Sequence, residues 1–190
     1  MERIAFRMLF LYYFLLLHGA NSVEEDIKLS LIKFLEKLSP SNGIIMDPNF
    51  GWNMSSDPCA GHWKGVTCEA RSISVKKIVL DNFSLNGTLD DESLCSVQSI
   101  ILLSLNNNNI SGEIPREIAD CKELTHFYVS GNRFVGSVPA LLFSNLKRLD
   151  ISNNYFLGEL PALPAISSLV SFRAKYNQLN GAIHTRIQLP

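Results

Sequence analysis

The sequence has almost no charge imbalance: 17 Lys and Arg stand against 18 Asp and Glu, a net charge of −1 in 190 residues. That balance provides no field of the kind that draws nucleic acid or a strongly anionic surface, so no nucleic-acid partner is expected and any partner must be chosen by local patches. Long apolar runs are also missing. None reaches the roughly 18 to 20 residues of a membrane-spanning helix, so no membrane anchor is expected within the chain as given. Catalytic phrases are absent too: there is no H-E-x-x-H, G-x-S-x-G or G-x-x-x-x-G-K and no kinase signature set. Histidine is scarce, with His18, His62, His126 and His184 far apart in the chain. Stacking of repeats brings His126 toward Asp150, yet no nucleophile joins them. No enzymatic activity, metal site or cofactor is expected. The hydrophobic share of 46% and charged share of 18% are ordinary for one globular domain.

Residues 1–22 have the form of a secretory leader. Arg3 and Arg7 supply its charge, Met8 to Leu17 its apolar stretch, and Ala20-Asn21-Ser22 a small-x-small cleavage pattern. Export predicts a protein of the secretory pathway. It also makes disulfides reasonable for the four cysteines. Four N-x-[ST] sequons, at Asn53, Asn82, Asn86 and Asn109, become candidate glycan acceptors. Asn86 is the weakest of these, because it adjoins a tight glycine turn.

A phrase of the form L-x-L-x-x-N-x-L-x-G-x-I-P fills the second half of the chain. It is cleanest in Leu103, Leu105, Asn108, Ile110, Gly112, Ile114 and Pro115, and it returns intact from Phe127 to Pro139 and from Leu149 to Pro161. A weaker copy precedes these, with Phe83 in the Asn slot and Asp90 in the Pro slot, and another follows with His184 in the Pro slot. Marker glycines at Gly87, Gly112, Gly136, Gly158 and Gly181 are 25, 24, 22 and 23 residues apart, a leucine-rich repeat period. The expected fold is an α/β repeat solenoid: a leucine-rich repeat array forming a short, curved, right-handed superhelix with a helical N-terminal cap. Within each unit, L-x-L is a short strand with its Leu side chains inward and its intervening residue outward. The Asn amide can satisfy backbone groups in the buried turn, so Asn108, Asn132, Asn154 and Asn177 are expected to stack as a ladder rather than bind a ligand. Upstream, Ile27, Leu31, Phe34, Leu35 and Leu38 trace an amphipathic helix with an acidic first turn, placed to cover the open end of the solenoid. Pro40 to Pro48 is an irregular loop.

The L-x-G-x-I-P half of the unit resembles the plant-specific class of leucine-rich repeats found in receptor-like kinases, receptor-like proteins and polygalacturonase-inhibiting proteins. Trp52-Asn53-Met54-Ser55-Ser56-Asp57-Pro58-Cys59, followed by Trp63-Lys64-Gly65-Val66-Thr67-Cys68, is similar to the N-terminal cap of the same families. The resemblance divides the chain into a leader (1–22), a cap (23–71) and about five repeats (72–190), and it implies a Cys59 to Cys68 bridge. Cys95 and Cys121 occupy similar places in adjacent repeats. Strand spacing of about 4.8 Å would permit a bridge between them, but free thiols in small buried slots are the preferred reading. The array stops at Leu189-Pro190 without a second cysteine pair, so the chain reads as truncated at its C-terminal end.

Outward strand positions form three columns: Lys77, Leu102, His126, Arg148, Ser171; Val79, Ser104, Tyr128, Asp150, Arg173; and Asp81, Asn106, Ser130, Ser152, Lys175. An aromatic beside paired charges suits an interaction surface. Tyr128, Arg148, Asp150, Arg173, Lys175 and His126 are accordingly the candidate concave binding face. Five strands at that spacing give a face about 20 Å across, the span of about six extended residues. The resemblance implies a protein or peptide ligand, or a co-receptor, for the ectodomain of a receptor-like kinase at the extracellular face of the plasma membrane or in the apoplast, joined to the membrane only through a transmembrane segment downstream of this chain. A secreted binding protein, such as an inhibitor of a cell-wall-degrading enzyme or a decoy co-receptor, is the alternative.

Overall fold

The computed structural model describes residues 23–40, 47, 49–61, 63–70, 74–140, 145–161 and 169–181. The leader, most of the loop between Pro40 and Pro48, His62 and the final Pro-slot residue His184 lie outside the described residues.

The first element is helix α1, Glu25–Leu38, with Glu25 and Asp26 in its first turn and Lys37 in its last, the arrangement its dipole favours. Its buried side is Leu31, Phe34, Leu35 and Leu38, together with Lys28, whose ammonium bonds Glu25 at 2.7 Å. The helix end is tied directly to the first repeat. The backbone N–H groups of Asn86 and Gly87 donate to the Leu38 carbonyl and that of Thr88 to the Lys37 carbonyl, at 3.0–3.1 Å. These bonds satisfy acceptors that a helix terminus leaves open. A Cβ on Gly87 would lie 1.8 Å from the Lys37 oxygen. Glycine is required there for close approach, whereas Gly136 holds a left-handed φ of +79°.

The rest of the cap is a folded loop around two indoles. Trp52 and Trp63 stack at 5.1 Å, and both are buried. Trp52 Nε1 donates to the Lys64 carbonyl and Trp63 Nε1 to Ser56 Oγ, so neither burial leaves a donor unpaired. A disulfide joins Cys59 and Cys68, with Cα atoms 5.6 Å apart. Strand β1, Val66–Cys68, runs antiparallel to β2, Val75–Val79. Periodicity gave no sign of β1, because a three-residue strand completing a sheet edge has too few positions to alternate.

From β2 the sheet continues in parallel through β3 (Leu102–Ser104), β5 (His126–Tyr128), β7 (Arg148–Asp150) and β9 (Ser171–Arg173). Registers pair Lys77 with Leu102, Leu102 with His126, His126 with Arg148 and Arg148 with Ser171. Between these outward residues Ile78, Leu103, Phe127 and Leu149 are buried, as strand alternation requires. A second set of short strands lies after each turn: β4 (Ser111–Gly112) pairs with β6 (Arg133–Phe134), and β8 (Leu157–Glu159) with β10 (Gln178–Asn180).

The Asn ladder is formed in the described repeats. Asn132 Oδ1 accepts from Ile110 N–H of the preceding unit, while its Nδ2 donates to the Leu105 and Val129 carbonyls. Asn154 repeats this with Phe134, Val129 and Ile151, and Asn177 with Phe156, Ile151 and Ala174. Asn108 reaches back to Phe83 and Leu85. Phe83, the irregular residue in that column, has no repeat before it to serve. Its ring instead meets Phe50 edge-on at 5.4 Å, sealing the repeat against the cap. Asp90, in place of proline, accepts from Ser93 N–H and starts a short helix, α2, Asp91–Cys95.

One expectation is overturned. Cys95 and Cys121 are bonded to each other, with Cα atoms 4.5 Å apart, and no described cysteine is free. The preference for free thiols treated each residue as filling its own slot. Cys95 ends α2 and Cys121 follows the 3-10 turn Arg116–Asp120. One repeat of stacking brings these two segments face to face.

Candidate functional site

The outward face of the parallel sheet gathers the residues singled out by register. Its acids are already engaged. Asp81 Oδ1 accepts from Ser104 Oγ and from Asn106 N–H, both at 2.7 Å. Asn106 in turn donates to Ser104 Oγ and accepts from Ser130 N–H. Asp150 Oδ1 accepts from Ser152 N–H and Ser152 Oγ, and that hydroxyl also reaches Ser130 Oγ. A polar chain thus runs across the strand ends, and Asp150 belongs to it. Arg173 lies 3.7 Å from the outer oxygen of Asp150 and remains 70% exposed.

The cations are not matched. Lys77, Lys147, Arg148 and Lys175 are exposed, and among the described residues none of them forms an ion pair. Arg148 and Asp150 on β7 lie opposite Ser171 and Arg173 on β9. Lys147, Arg148, Arg173 and Lys175 therefore surround a single, internally satisfied carboxylate. The field registers on a neighbour: His126 is held below the usual histidine pKa by burial and by the charges of Arg148, Lys147 and Lys77. Its Nδ1 lies 2.9 Å from Thr125 Oγ1, and its ring meets Tyr128 edge-on at 6.3 Å. His126 pairs across the sheet with Arg148 and not with Asp150, so no acid–base pair forms. Tyr128 is half-buried at the middle of the face.

Tyr176 was not among the residues read from the sequence. It is 72% exposed, its φ is +58°, and Lys175 Nζ lies 5.3 Å from its ring centroid. The equivalent turn positions are Asn82, Asn107, Gly131 and Asn153, all with positive φ. A tyrosine in a column of Asn and Gly was a legible signal, because only those residues enter this conformation cheaply.

The sequons lie elsewhere. Asn53, Asn82 and Asn86 are exposed and Asn109 is half-buried, all in the cap and the first two repeats. Asn53 is held in an Asx turn, accepting from Ser55 N–H and donating to the Gly51 carbonyl. Among the described residues no cluster of three or more His, Cys, Asp or Glu could hold a metal ion, and no helix is long and apolar enough to cross a membrane.

Comparison with known proteins fits this architecture. Residues 28–69 match the leucine rich repeat N-terminal domain, and residues 99–121 and 145–165 match the Leucine Rich Repeat. Pollen receptor-like kinase 2 of Arabidopsis thaliana is 30% identical over 175 residues, which cover 90% of this chain and 25% of that protein. The ectodomain of the Arabidopsis receptor kinase HAESA, solved in complex with an N-terminally extended IDA peptide hormone ligand, has a TM-score of 0.69 at 30% identity over 82% of this chain and 26% of that one. The BIR3–SERK2 complex from Arabidopsis thaliana gives 0.65 at 27% identity over 80% of this chain and 78% of that one. The chain spans a quarter or less of the length of the curated relatives it matches. With its cap and its ladder of repeats, the chain carries a leucine rich repeat N-terminal domain followed by Leucine Rich Repeats, and it is similar in sequence to Arabidopsis receptor-like kinases and in fold to plant receptor-kinase ectodomains.

Proposed function

We propose that this chain is the extracellular recognition module of a plant receptor-like kinase, and that its concave face docks an acidic peptide segment. The carrying observation is the cluster Lys147, Arg148, Arg173 and Lys175 beside one carboxylate, Asp150, which is bonded to Ser152 and pairs with Arg173 alone, leaving Lys147, Arg148 and Lys175 without an ion pair among the described residues. Exposed cations without ion-pair partners on an ordered sheet surface attract carboxylates and steer their approach. Tyr128 and the exposed Tyr176 flank the cluster and supply stacking and apolar area. Glycans on Asn53, Asn82, Asn86 and Asn109 would cover the cap and the first two repeats and leave the third to fifth open. The HAESA ectodomain, a structural neighbour, is solved with a peptide hormone, and the BIR3–SERK2 neighbour is a protein complex. Both support a peptide or protein partner, with the module at the extracellular face of the plasma membrane and any catalysis outside this chain.

The test is fluorescence anisotropy with a labelled Glu-rich hexapeptide and its Gln counterpart, at about 0.15 M salt, where the Debye length is about 8 Å. The acidic peptide should bind more tightly and weaken as salt rises. Lys147→Glu with Arg148→Glu should abolish the difference, and Tyr128→Ala should weaken binding about tenfold, a loss of about 1.4 kcal/mol. Equal binding of the two peptides, or indifference to the charge reversal, would overturn the proposal.

A further inference from the structure

We infer that removal of the leader at the Ser22–Val23 bond creates a structural ligand: the new α-ammonium group of Val23 pairs with the Asp57 carboxylate and fastens the start of α1 to the cap loop. Two independent observations meet at this residue. The small-x-small pattern Ala20-Asn21-Ser22 ends immediately before it. In the folded chain, Val23 N lies 2.8 Å from Asp57 Oδ2 across 34 residues of sequence, and the Val23 side chain is only 2% exposed. A residue that began a loose tail would be neither buried nor bonded.

The two oxygens of Asp57 divide the work. Oδ1 accepts from Cys59 N–H at 2.8 Å and from Ala60 N–H at 2.9 Å, holding the turn that carries the Cys59–Cys68 bridge. Oδ2 is left for Val23. Burial works to raise the Asp57 pKa, but the N–H groups of Ala60, Val23 and Cys59 and the charge of Lys28 outweigh it, so the carboxyl is held below its ordinary value and stays ionised. An ionised carboxylate set against a chain terminus is the arrangement an ammonium completes.

The chemistry is a hydrolysis by a signal peptidase of the secretory pathway. Water adds across the Ser22–Val23 amide, Ser22 departs with the leader as a carboxylate, and the Val23 nitrogen becomes an ammonium with three donors in place of one neutral N–H. At unchanged distance, a neutral hydrogen bond becomes a charge-assisted one, roughly twice as strong. The cap is thereby completed only after export. Among the described residues, Lys28 of α1, itself paired with Glu25, is the charged side chain that acts on Asp57.

The sign of the pH dependence follows. A paired α-amino group has a raised pKa in the folded state, so its contribution is full below its unfolded value of about 7.7–8.0 and is lost as pH rises through the folded value. The experiment uses the whole chain, secreted with its own leader from a eukaryotic host. Intact mass and N-terminal sequencing should place the mature terminus at Val23, and any other start overturns the inference. Melting temperatures are then compared for the wild type, Asp57→Asn, and a variant with one glycine inserted between Ser22 and Val23. The insertion keeps Val23 N–H as a neutral donor and removes its charge. It should melt several degrees lower near neutral pH and lack the alkaline fall in melting temperature seen for the wild type. The insertion and Asp57→Asn should not be additive when combined. If the insertion matches the wild type at neutral pH and across the alkaline range, the pair is absent. That result stands even if Asp57→Asn fails to fold.

Discussion

At the scale of single residues, the array separates positions that build from positions that are free. Asn132 is buried and every bond its amide makes is to backbone, so it has nothing left to offer a ligand. Tyr176 is the opposite case. It holds a left-handed φ while presenting its ring to solvent, at a cost of about 1–2 kcal/mol for a residue that is not Gly or Asn. Strain of this kind points toward use rather than stability. Tyr176→Asn should therefore raise stability by about 0.5–1 kcal/mol in urea unfolding, after loss of the Lys175 ring contact is deducted, and should weaken the acidic hexapeptide. A stabilised variant with unchanged binding would leave Tyr176 without a part in the site. The same column shows how much was legible: the Asn ladder follows from repetition, whereas the tyrosine's exception emerges only when the five turns are set side by side.

At the scale of elements, the join between cap and array is made by backbone. The last carbonyls of α1 are satisfied by the turn of the first repeat, and Gly87 permits the approach. Gly87→Ala forces the Lys37 carbonyl and the new Cβ apart and should cost about 1–3 kcal/mol. Gly158→Ala meets nothing within 4 Å and carries only the penalty of its positive φ, about 1 kcal/mol. Chemical denaturation of the two variants should rank them in that order, and a reversed order would remove the close-contact account. The helix was legible from its apolar spacing and its acidic start. Its docking was not, because a C-terminal carbonyl meeting a glycine 50 residues later leaves no periodic trace. The β1 edge strand escaped for a related reason, since it exists through pairing with β2 and not through its own pattern.

At the scale of the whole molecule, the near-neutral charge conceals a division. Lys77, Lys147, Arg148, Arg173 and Lys175 outnumber Asp81 and Asp150 on or beside the parallel sheet, while Asp90, Asp91, Glu92, Glu117 and Asp120 outnumber Arg116 and Lys122 on or beside α2 and the 3-10 turn. Asp91 feels that crowding. Burial, together with Glu117, Asp90 and Glu92, raises its pKa above the ordinary carboxylate value. Across this acidic side, the Cys95–Cys121 bridge closes a 26-residue separation. In the chain-entropy account such a loop stabilises by about 3.5 kcal/mol. Cys95→Ser with Cys121→Ser should lower the unfolding free energy by about that amount in guanidinium, with the concave face intact enough to bind. Equal stability of the two forms would mean the link constrains nothing that folding needs.

The repeat period, the inward Leu and Phe, the Asn ladder and the cap helix were determined by the sequence alone, because each is a local pattern multiplied by stacking. So were the three outward columns, since a period of two along each strand and one repeat between strands leave no other register. Only the tertiary structure decided which outward residues are free. Asp150 looked like half of a binding pair and is bound to Ser152; Cys95 and Cys121 looked like separate fillers and are joined; Val23 looked like no more than the first residue of the cap and is fastened to Asp57. Each of these depends on a contact between residues far apart in the chain or on the direction of a single side chain. Neither quantity is periodic, and periodicity is what this sequence makes visible.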